Sequence, residues 1–287
     1  MVSMVPSKAL AYAQLLRIDK PVGTLLLLWP TLWAIWIASN GSVDNWILLV
    51  FILGTWLMRS AGCAINDIAD RKFDGHVLRT KDRPIPSGRV TTLEAASIAS
   101  ILIFIAFVLV LTLNTLAIQL SFLALFLAAS YPFTKRFFVM PQAYLGFAFG
   151  FGIPMAWAAI LNVVSLEALV MLLANVFWAI AYDTEYAMVD RHDDERIGIK
   201  TSAILFGDRD IFFVCLCHAI FVLIMTIVGI MSGLGLAYYL ALTAAAILIC
   251  LQYPLIKNRE REKCFRAFQQ NNWIGGVIFF GLVLDKF

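Results

Sequence analysis

The chain has 287 residues, of which 61% are hydrophobic and only 14% charged, and its formal net charge is +3. A soluble domain is about 25% charged, so a water-soluble fold is excluded, and so small a net charge gives no reason to expect a nucleic-acid partner. Apolar runs long enough to cross a bilayer, about 20 residues each, recur along the whole length.

In chain order the runs cover 21–39, 46–66, 94–112, 115–132, 141–160, 166–185, 211–231, 234–254 and 270–285. Only helices and closed barrels satisfy the backbone inside lipid. These runs are too long and too uniformly apolar for barrel strands. The expectation is therefore an all-α integral membrane protein, a single domain over 1–287 with nine transmembrane helices. The first run follows a 20-residue charged segment, is long, and lacks a clear small-residue cleavage site, so it reads as a retained helix rather than a signal peptide.

The second run contains Arg59 and ends in Asn66-Asp67-Ile68-Ala69-Asp70-Arg71-Lys72-Phe73-Asp74. On a helix, Asp67, Asp70 and Asp74 fall at i, i+3 and i+7, on one face. The loop beyond carries Arg79, Lys81, Arg83 and Arg89, and the prolines and glycine of Arg83-Pro84-Ile85-Pro86-Ser87-Gly88 mark fixed turns. The fourth run ends in Tyr131-Pro132-Phe133-Thr134-Lys135-Arg136. The sixth leads into a second acidic segment, in which Asp183, Asp190 and Asp194 fall at i, i+7 and i+11 and again share a face.

Lys and Arg gather in alternate connections: before the first run and after the second, fourth, sixth and eighth. The intervening connections, near 40–45, 113, 162–165 and 232–235, have neither. By the positive-inside rule the N-terminus and the acidic segments lie on the cytoplasmic side, and nine spans put the C-terminus on the opposite, periplasmic side. The five cysteines form no C-x-x-C pair and read as small buried apolar residues. The three histidines share no ligand spacing.

A faint internal echo is present. Asp70 and Asp74 return as Asp190 and Asp194, and Tyr131-Pro132 returns as Tyr253-Pro254 at nearly the same offset. That is the pattern of parallel repeats related by an axis along the membrane normal. It predicts two four-helix repeats, over about 21–135 and 141–257, plus one helix, with the two acidic faces looking at each other across a central cavity.

Runs of charge are often only solvated faces. Two acidic faces in repeated positions at a membrane boundary instead favour a functional site. Like charges at these spacings repel, and a hard divalent cation would neutralise them. Mg²⁺ takes one or two carboxylates plus substrate phosphates, and Asn66 offers a neutral oxygen. Such a site would hold a diphosphate and stabilise its charge as it leaves. Lys135, Arg136, Arg79, Lys81 and Arg83 are read either as topology signals or as diphosphate contacts. A diphosphate at the edge of an intramembrane cavity suggests a long isoprenoid, its tail lying among apolar helices.

The Asn66-Asp67-x-x-Asp70-x-x-x-Asp74 and Asp190-x-x-x-Asp194 motifs resemble those of the UbiA superfamily of intramembrane prenyltransferases. Further motifs that match are Asp19-Lys20-Pro21-Val22-Gly23, Leu28-Trp29-Pro30-Thr31-Leu32-Trp33-Ala34, Leu57-Met58-Arg59-Ser60-Ala61-Gly62-Cys63, Arg83-Pro84-Ile85-Pro86-Ser87-Gly88 and Ala181-Tyr182-Asp183-Thr184. The resemblance, strongest to the members acting in bacterial ubiquinone biosynthesis, implies a Mg²⁺-dependent enzyme of the inner membrane. It implies transfer of a polyprenyl group from its diphosphate to the ring carbon beside the hydroxyl of 4-hydroxybenzoate, with no protein partner required. On the family pattern Asn66, Asp70, Asp74, Asp190 and Asp194 hold the metal–diphosphate, with Asp67 and Asp183 in support, and Tyr131 and Lys135 lie near the diphosphate. The acceptor's carboxylate then needs a cation. Arg59, seven residues before Asn66 on the same helix face, is one candidate and Arg136 the other; the alternative for Arg59 is snorkelling to the headgroups. Two other readings remain: a prenyltransferase for another ring, such as a naphthoate or a haem, and a parallel-repeat transporter. The transporter would carry its charges near the midplane, whereas these acids lie at one surface.

Overall fold

The computed structural model describes residues 8–71, 80–134 and 136–286, and is helical, with no strand among the described residues. The described residues form, in order, α1 Lys8–Leu15, α2 Val22–Ala38, α3 Asn45–Asp70, α4 Thr92–Val110, α5 Thr115–Thr134, α6 Pro141–Gly150, α7 Gly152–Leu161, α8 Leu166–Ile197, α9 Ser202–Phe206, α10 Asp210–Met231, α11 Leu236–Cys250, α12 Tyr253–Ile256 and α13 Arg261–Asp285.

Among the described residues seven stretches are long and apolar enough to cross a membrane: Asn45–Asp70, Thr92–Val110, Thr115–Thr134, Pro141–Leu161, Leu166–Arg196, Ser202–Met231 and Leu236–Ile256. They make this an integral membrane protein. The first and ninth apolar runs of the sequence are helical too but fall outside this set. α2 has 17 residues, about 26 Å at 1.5 Å per residue, slightly short of a ~30 Å hydrocarbon core. α13 is 25 residues long, but its first three turns carry Arg261, Glu262, Lys263, Arg266, Gln269 and Gln270, which dilute its hydropathy.

The helix starts are encoded locally. Asp44 caps α3, accepting from the Trp46 and Ile47 amides at 2.7 and 3.2 Å. Thr91 and Glu94 form a reciprocal capping box at the start of α4, which satisfies amides with no partner inside the helix. The run 141–160 breaks at Phe151 into α6 and α7. Pro154 has no amide to return to the Gly150 carbonyl, and flanking glycines ease the bend. A Cβ at Gly146 would lie 2.8 Å from the Val176 Cα, so glycine there lets α6 close against α8.

The core is aromatic. Trp178 stacks on Phe221, centroids 5.5 Å apart, and lies 5.3 Å from Trp33. The Trp33 indole donates to the Gly275 carbonyl at 3.0 Å and the Trp178 indole to Asn271 Oδ1 at 3.0 Å. Asn271 Nδ2 in turn donates to buried Glu185 at 2.8 Å, and His218 lies 3.7 Å from the same carboxylate. These contacts tie α2, α8, α10 and α13 and fix the azimuth at which α8 presents its other face. α1 is too short to span. Its Ala11 and Leu15 are buried with Ala61, Ala64, Ala95 and Ala99, while Lys8 and Tyr12 reach Glu94 at 2.8 and 3.0 Å.

Candidate active site

One cavity of about 1230 Å³ is lined by α2 to α8, the connection before α2, the loop near Arg83 and the start of α13. From the sequence-derived set, Arg59, Asn66, Asp67, Asp70, Arg83, Tyr131, Asp183, Asp190 and Asp194 all line it. The acidic faces of α3 and α8 therefore look into the same space. Below them the wall turns apolar, with Leu26, Phe51, Ile103, Phe107, Phe122 and Phe149 among its residues. Val50 and Asp70, which both line the cavity, are about 30 Å apart along α3 at 1.5 Å per residue. The space thus runs nearly the depth of a bilayer, acidic at one end and oily for the rest.

α8 does not stop where its apolar run stops. It continues to Ile197 and ends at Gly198, whose φ of +72° makes a left-handed cap. Arg191 bridges Glu195 at 3.2 Å one turn on, and also reaches the buried Asp210, which Arg259 holds at 2.6 Å. This basic clamp on the outer face offsets the repulsion among acids and carries Asp190 and Asp194 beyond the apolar part of the helix. Asp70 and Asp190 are buried, at 5% and 6% exposure. Asn66 Nδ2 donates to Asp70 Oδ2 at 3.2 Å, so the amide oxygen is the atom Asn66 has to offer a cation.

Asp67 is placed differently. It is 1% exposed, and Arg17 donates to both its oxygens at 2.8 and 3.1 Å while Arg83 donates to Oδ1 at 3.1 Å. Two guanidinium groups already neutralise it. Arg17 adopts φ +56° to do so and anchors the α1–α2 connection over the cavity. Arg17 and Lys20 line the cavity with Gln14, Arg89 and Lys200; the positive-inside pattern had absorbed the basic ones as topology signals. Lys81 is exposed and Arg136 is exposed, and neither lines the cavity among the described residues. Arg136 instead donates to the Ala69 carbonyl at 2.8 Å and lies over the Phe133 ring at 5.3 Å. Asp74, Arg79 and Lys135 lie outside the described residues.

Arg59 sits deeper, at a narrow point. Its Nη1 donates to Cys63 Sγ at 2.8 Å, and its Cζ lies 5.8 Å from the Phe149 centroid. Its Nε is buried with no hydrogen-bond partner. A Cβ at Gly23 would come within 2.6 Å of Nη2, so glycine at that position makes room for the guanidinium. Arg59 thus lines the cavity.

Among the described residues no three carboxylate, imidazole or thiol groups are gathered closely enough to hold a metal ion by themselves. The cavity instead carries hard oxygens from two helices, those of Asn66 and Asp70 on α3 and of Asp190 and Asp194 on α8. That suits Mg²⁺, which uses one or two carboxylates and completes its shell with water and substrate phosphate.

Fold and site together define a membrane-embedded helical protein with an acid-mouthed, apolar-walled internal cavity. The chain belongs to the UbiA prenyltransferase family, whose model matches residues 27–280. It is 58% identical over 277 residues to a 4-hydroxybenzoate octaprenyltransferase of Methylobacillus flagellatus, covering 96% of this chain and 94% of that one. It is 59% identical over 274 residues to a protein of the same name from Nitrosospira multiformis, again covering 96% and 94%. Among solved structures, the apo UbiA homologue of Aeropyrum pernix K1 superposes with a TM-score of 0.82 at 24% identity, covering 92% of this chain and 98% of that one. A UbiA homologue of Archaeoglobus fulgidus bound to GPP and Mg²⁺ gives 0.70 at 16% identity, covering 96% and 99%.

Proposed function

We propose that this enzyme transfers a polyprenyl group from polyprenyl diphosphate to the ring carbon ortho to the hydroxyl of 4-hydroxybenzoate, releasing diphosphate, in bacterial ubiquinone biosynthesis. The observation that carries the reading is one cavity about 30 Å long, with carboxylates from two helices at its mouth and an apolar wall below them. The names of the relatives at 58–59% identity give the acceptor.

Asp70, Asn66, Asp190 and Asp194, with Asp74 and with Asp183 in support, are the residues that would hold Mg²⁺. When bound, the metal supplies positive charge to the departing diphosphate. Arg83 and Tyr131 line the same cavity and, with Arg79 and Lys135, form the remaining diphosphate-binding set; Lys81, exposed and outside the cavity wall, adds only positive charge to the nearby loop. Asp67 acts through Arg17 and Arg83, orienting both guanidinium groups toward the mouth. The apolar wall accepts the prenyl tail and keeps water from the allylic carbon, whose cation water would quench. As the C–O bond to diphosphate breaks, the ring carbon forms the new C–C bond and later loses its proton. A carboxylate of the acidic cluster takes a proton from the acceptor; Asp183, on the cavity wall, is assigned that role. Arg59 pairs with the acceptor's carboxylate in a forked geometry. Arg136, engaged with the Ala69 carbonyl, supports the end of α3.

In the same reading α2 and α13 complete nine spans, and the repeats pair α3 with α8, which carry corresponding acids. The basic clusters at the acidic end of the bundle put that end and the N-terminus in the cytoplasm, and the C-terminus in the periplasm, of the inner membrane. The test is an assay of membranes carrying the protein, with Mg²⁺, a polyprenyl diphosphate and radiolabelled 4-hydroxybenzoate. A lipid-soluble labelled product is expected. Its absence, with product formed from a naphthoate instead, would reassign the acceptor.

A further inference from the structure

Burial usually forces a polar atom to find a partner, and the exceptions in this chain are informative. Several side chains have a buried polar atom with no hydrogen-bond partner. Glu185 and His218 are among them, but they lie against each other at 3.7 Å and outside the cavity wall. Two others line the cavity: Arg59, through Nε, and Tyr182, through its hydroxyl. Tyr182 is 1% exposed. Its ring is fixed edge-on to Trp178 at 5.3 Å, with Phe268 at 6.2 Å on another side. A ring so wedged has little freedom to turn its hydroxyl elsewhere.

Both donors lie below the acidic mouth. Tyr182 is eight residues before Asp190 on α8, about 12 Å along the helix. Arg59 is eleven residues before Asp70 on α3, about 16 Å. The two orphaned donors thus line one cavity from two helices, within about one helical turn of each other in depth. Arg59 and Asp183 are the charged residues that share the cavity wall with Tyr182 at this depth. An Arg Nε–H can only donate, and a phenol O–H readily does. Two unpartnered donors on the wall of one cavity suit an anionic acceptor with several lone pairs. A carboxylate has about four lone-pair sites, enough for a guanidinium and a hydroxyl together.

The substrate's shape says which group that is. In 4-hydroxybenzoate the reacting carbon is next to the hydroxyl, and the carboxylate is para to the hydroxyl and meta to the reacting carbon, two ring positions away. With the reacting carbon turned to the diphosphate at the mouth, the carboxylate points inward. We infer that the Tyr182 hydroxyl donates a hydrogen bond to the carboxylate of the aromatic acceptor, beside Arg59, and so is a specificity-determining residue of this enzyme. The inference rests on the acceptor reading given above.

The test uses the full chain in membranes with Mg²⁺ and a polyprenyl diphosphate, and compares 4-hydroxybenzoate with 4-methylphenol, which keeps ring and hydroxyl but lacks the carboxylate. Tyr182→Phe keeps the ring and its packing. It should raise KM for 4-hydroxybenzoate about tenfold, with kcat and the KM for polyprenyl diphosphate within twofold of the unaltered enzyme. The slow reaction with 4-methylphenol should change by less than twofold. An unchanged KM for 4-hydroxybenzoate, an equal loss with both acceptors, or a loss confined to kcat would overturn the assignment while leaving the activity standing. An unaltered enzyme that does not prenylate 4-hydroxybenzoate would overturn the activity itself, and the role of Tyr182 with it.

Discussion

Gly23 offers the sharpest link between packing and substrate choice, because it touches no substrate in the account above. A methyl group there would lie 2.6 Å from Arg59 Nη2, 3.1 Å from Nε and 3.2 Å from Cζ. The first distance is shorter than non-bonded atoms tolerate, so the guanidinium must move away in Gly23→Ala. The backbone has no reason to object: Gly23 is in the first turn of α2, where alanine is favoured. The variant should fold normally and lose alignment of one charged hydrogen-bonding fork. Hydrogen bonds to charged groups are worth about 1.5–3 kcal/mol, and each 1.4 kcal/mol is tenfold. The KM for 4-hydroxybenzoate should therefore rise between about 10- and 100-fold, with the KM for polyprenyl diphosphate unchanged. The assay is steady-state kinetics on membranes across a double-mutant cycle with Arg59→Ala. In the Arg59→Ala background, Gly23→Ala should have almost no further effect. The same fold-loss in both backgrounds would refute the reasoning, since Gly23 would then act on something other than Arg59.

Arg59→Ala should itself raise KM for 4-hydroxybenzoate on the order of 100-fold or more, because losing one partner of a buried charge pair costs ~3–5 kcal/mol; Arg59→Lys should recover little, and Arg136→Ala should leave that KM alone, which acceptor kinetics on the three variants will show. Asp67→Asn should lower the thermal unfolding midpoint in detergent more than Arg17→Ala does, since the first strands two arginines and the second leaves Arg83 in place; equal midpoints for all three proteins would return Asp67 to metal binding. Asp70→Ala, Asp190→Ala and Asp194→Ala should each abolish most prenyl transfer without loss of folded protein, and EDTA should do the same reversibly; full turnover in chelator would contradict a metal role.

The helices were legible because lipid imposes one rule on the backbone, and an apolar run satisfies it only as a helix. What hydropathy reads is the lipid boundary, and helices need not end there. The sixth run was expected to finish near residue 185, yet α8 continues to Ile197, stabilised by Arg191–Glu195 and capped by Gly198, features that carry no apolar signal. The ninth run likewise starts near 270 in hydropathy while α13 begins at Arg261. The Phe151 break was written in Gly150, Gly152 and Pro154 but hidden by the apolar residues around them. In the site, Asp70 and Asp190 could be found by periodicity because each shares a helix face with other acids. Arg17 could not: its partner Asp67 is fifty residues away, and a lysine- and arginine-bearing segment before a first span looks like topology alone. Tyr182 stood inside a motif, but only its missing hydrogen bond singles it out, and pairing is a property of the fold. Between Arg59 and Arg136 the sequence left a choice; among the described residues Arg59 lines the cavity, whereas Arg136 does not and donates to the Ala69 carbonyl.

The central claim is that the acids of α3 and α8 jointly hold one metal–diphosphate at the mouth of the cavity. A structure of the protein with Mn²⁺ and an unreactive polyprenyl thiodiphosphate tests it most directly, with anomalous scattering locating the metal. The account predicts metal between Asp70 and Asp190, ligated from both helices and by the diphosphate, with the tail running down the cavity toward Val50. Metal bound by one helix alone, or a diphosphate seated away from both acidic faces, would contradict it.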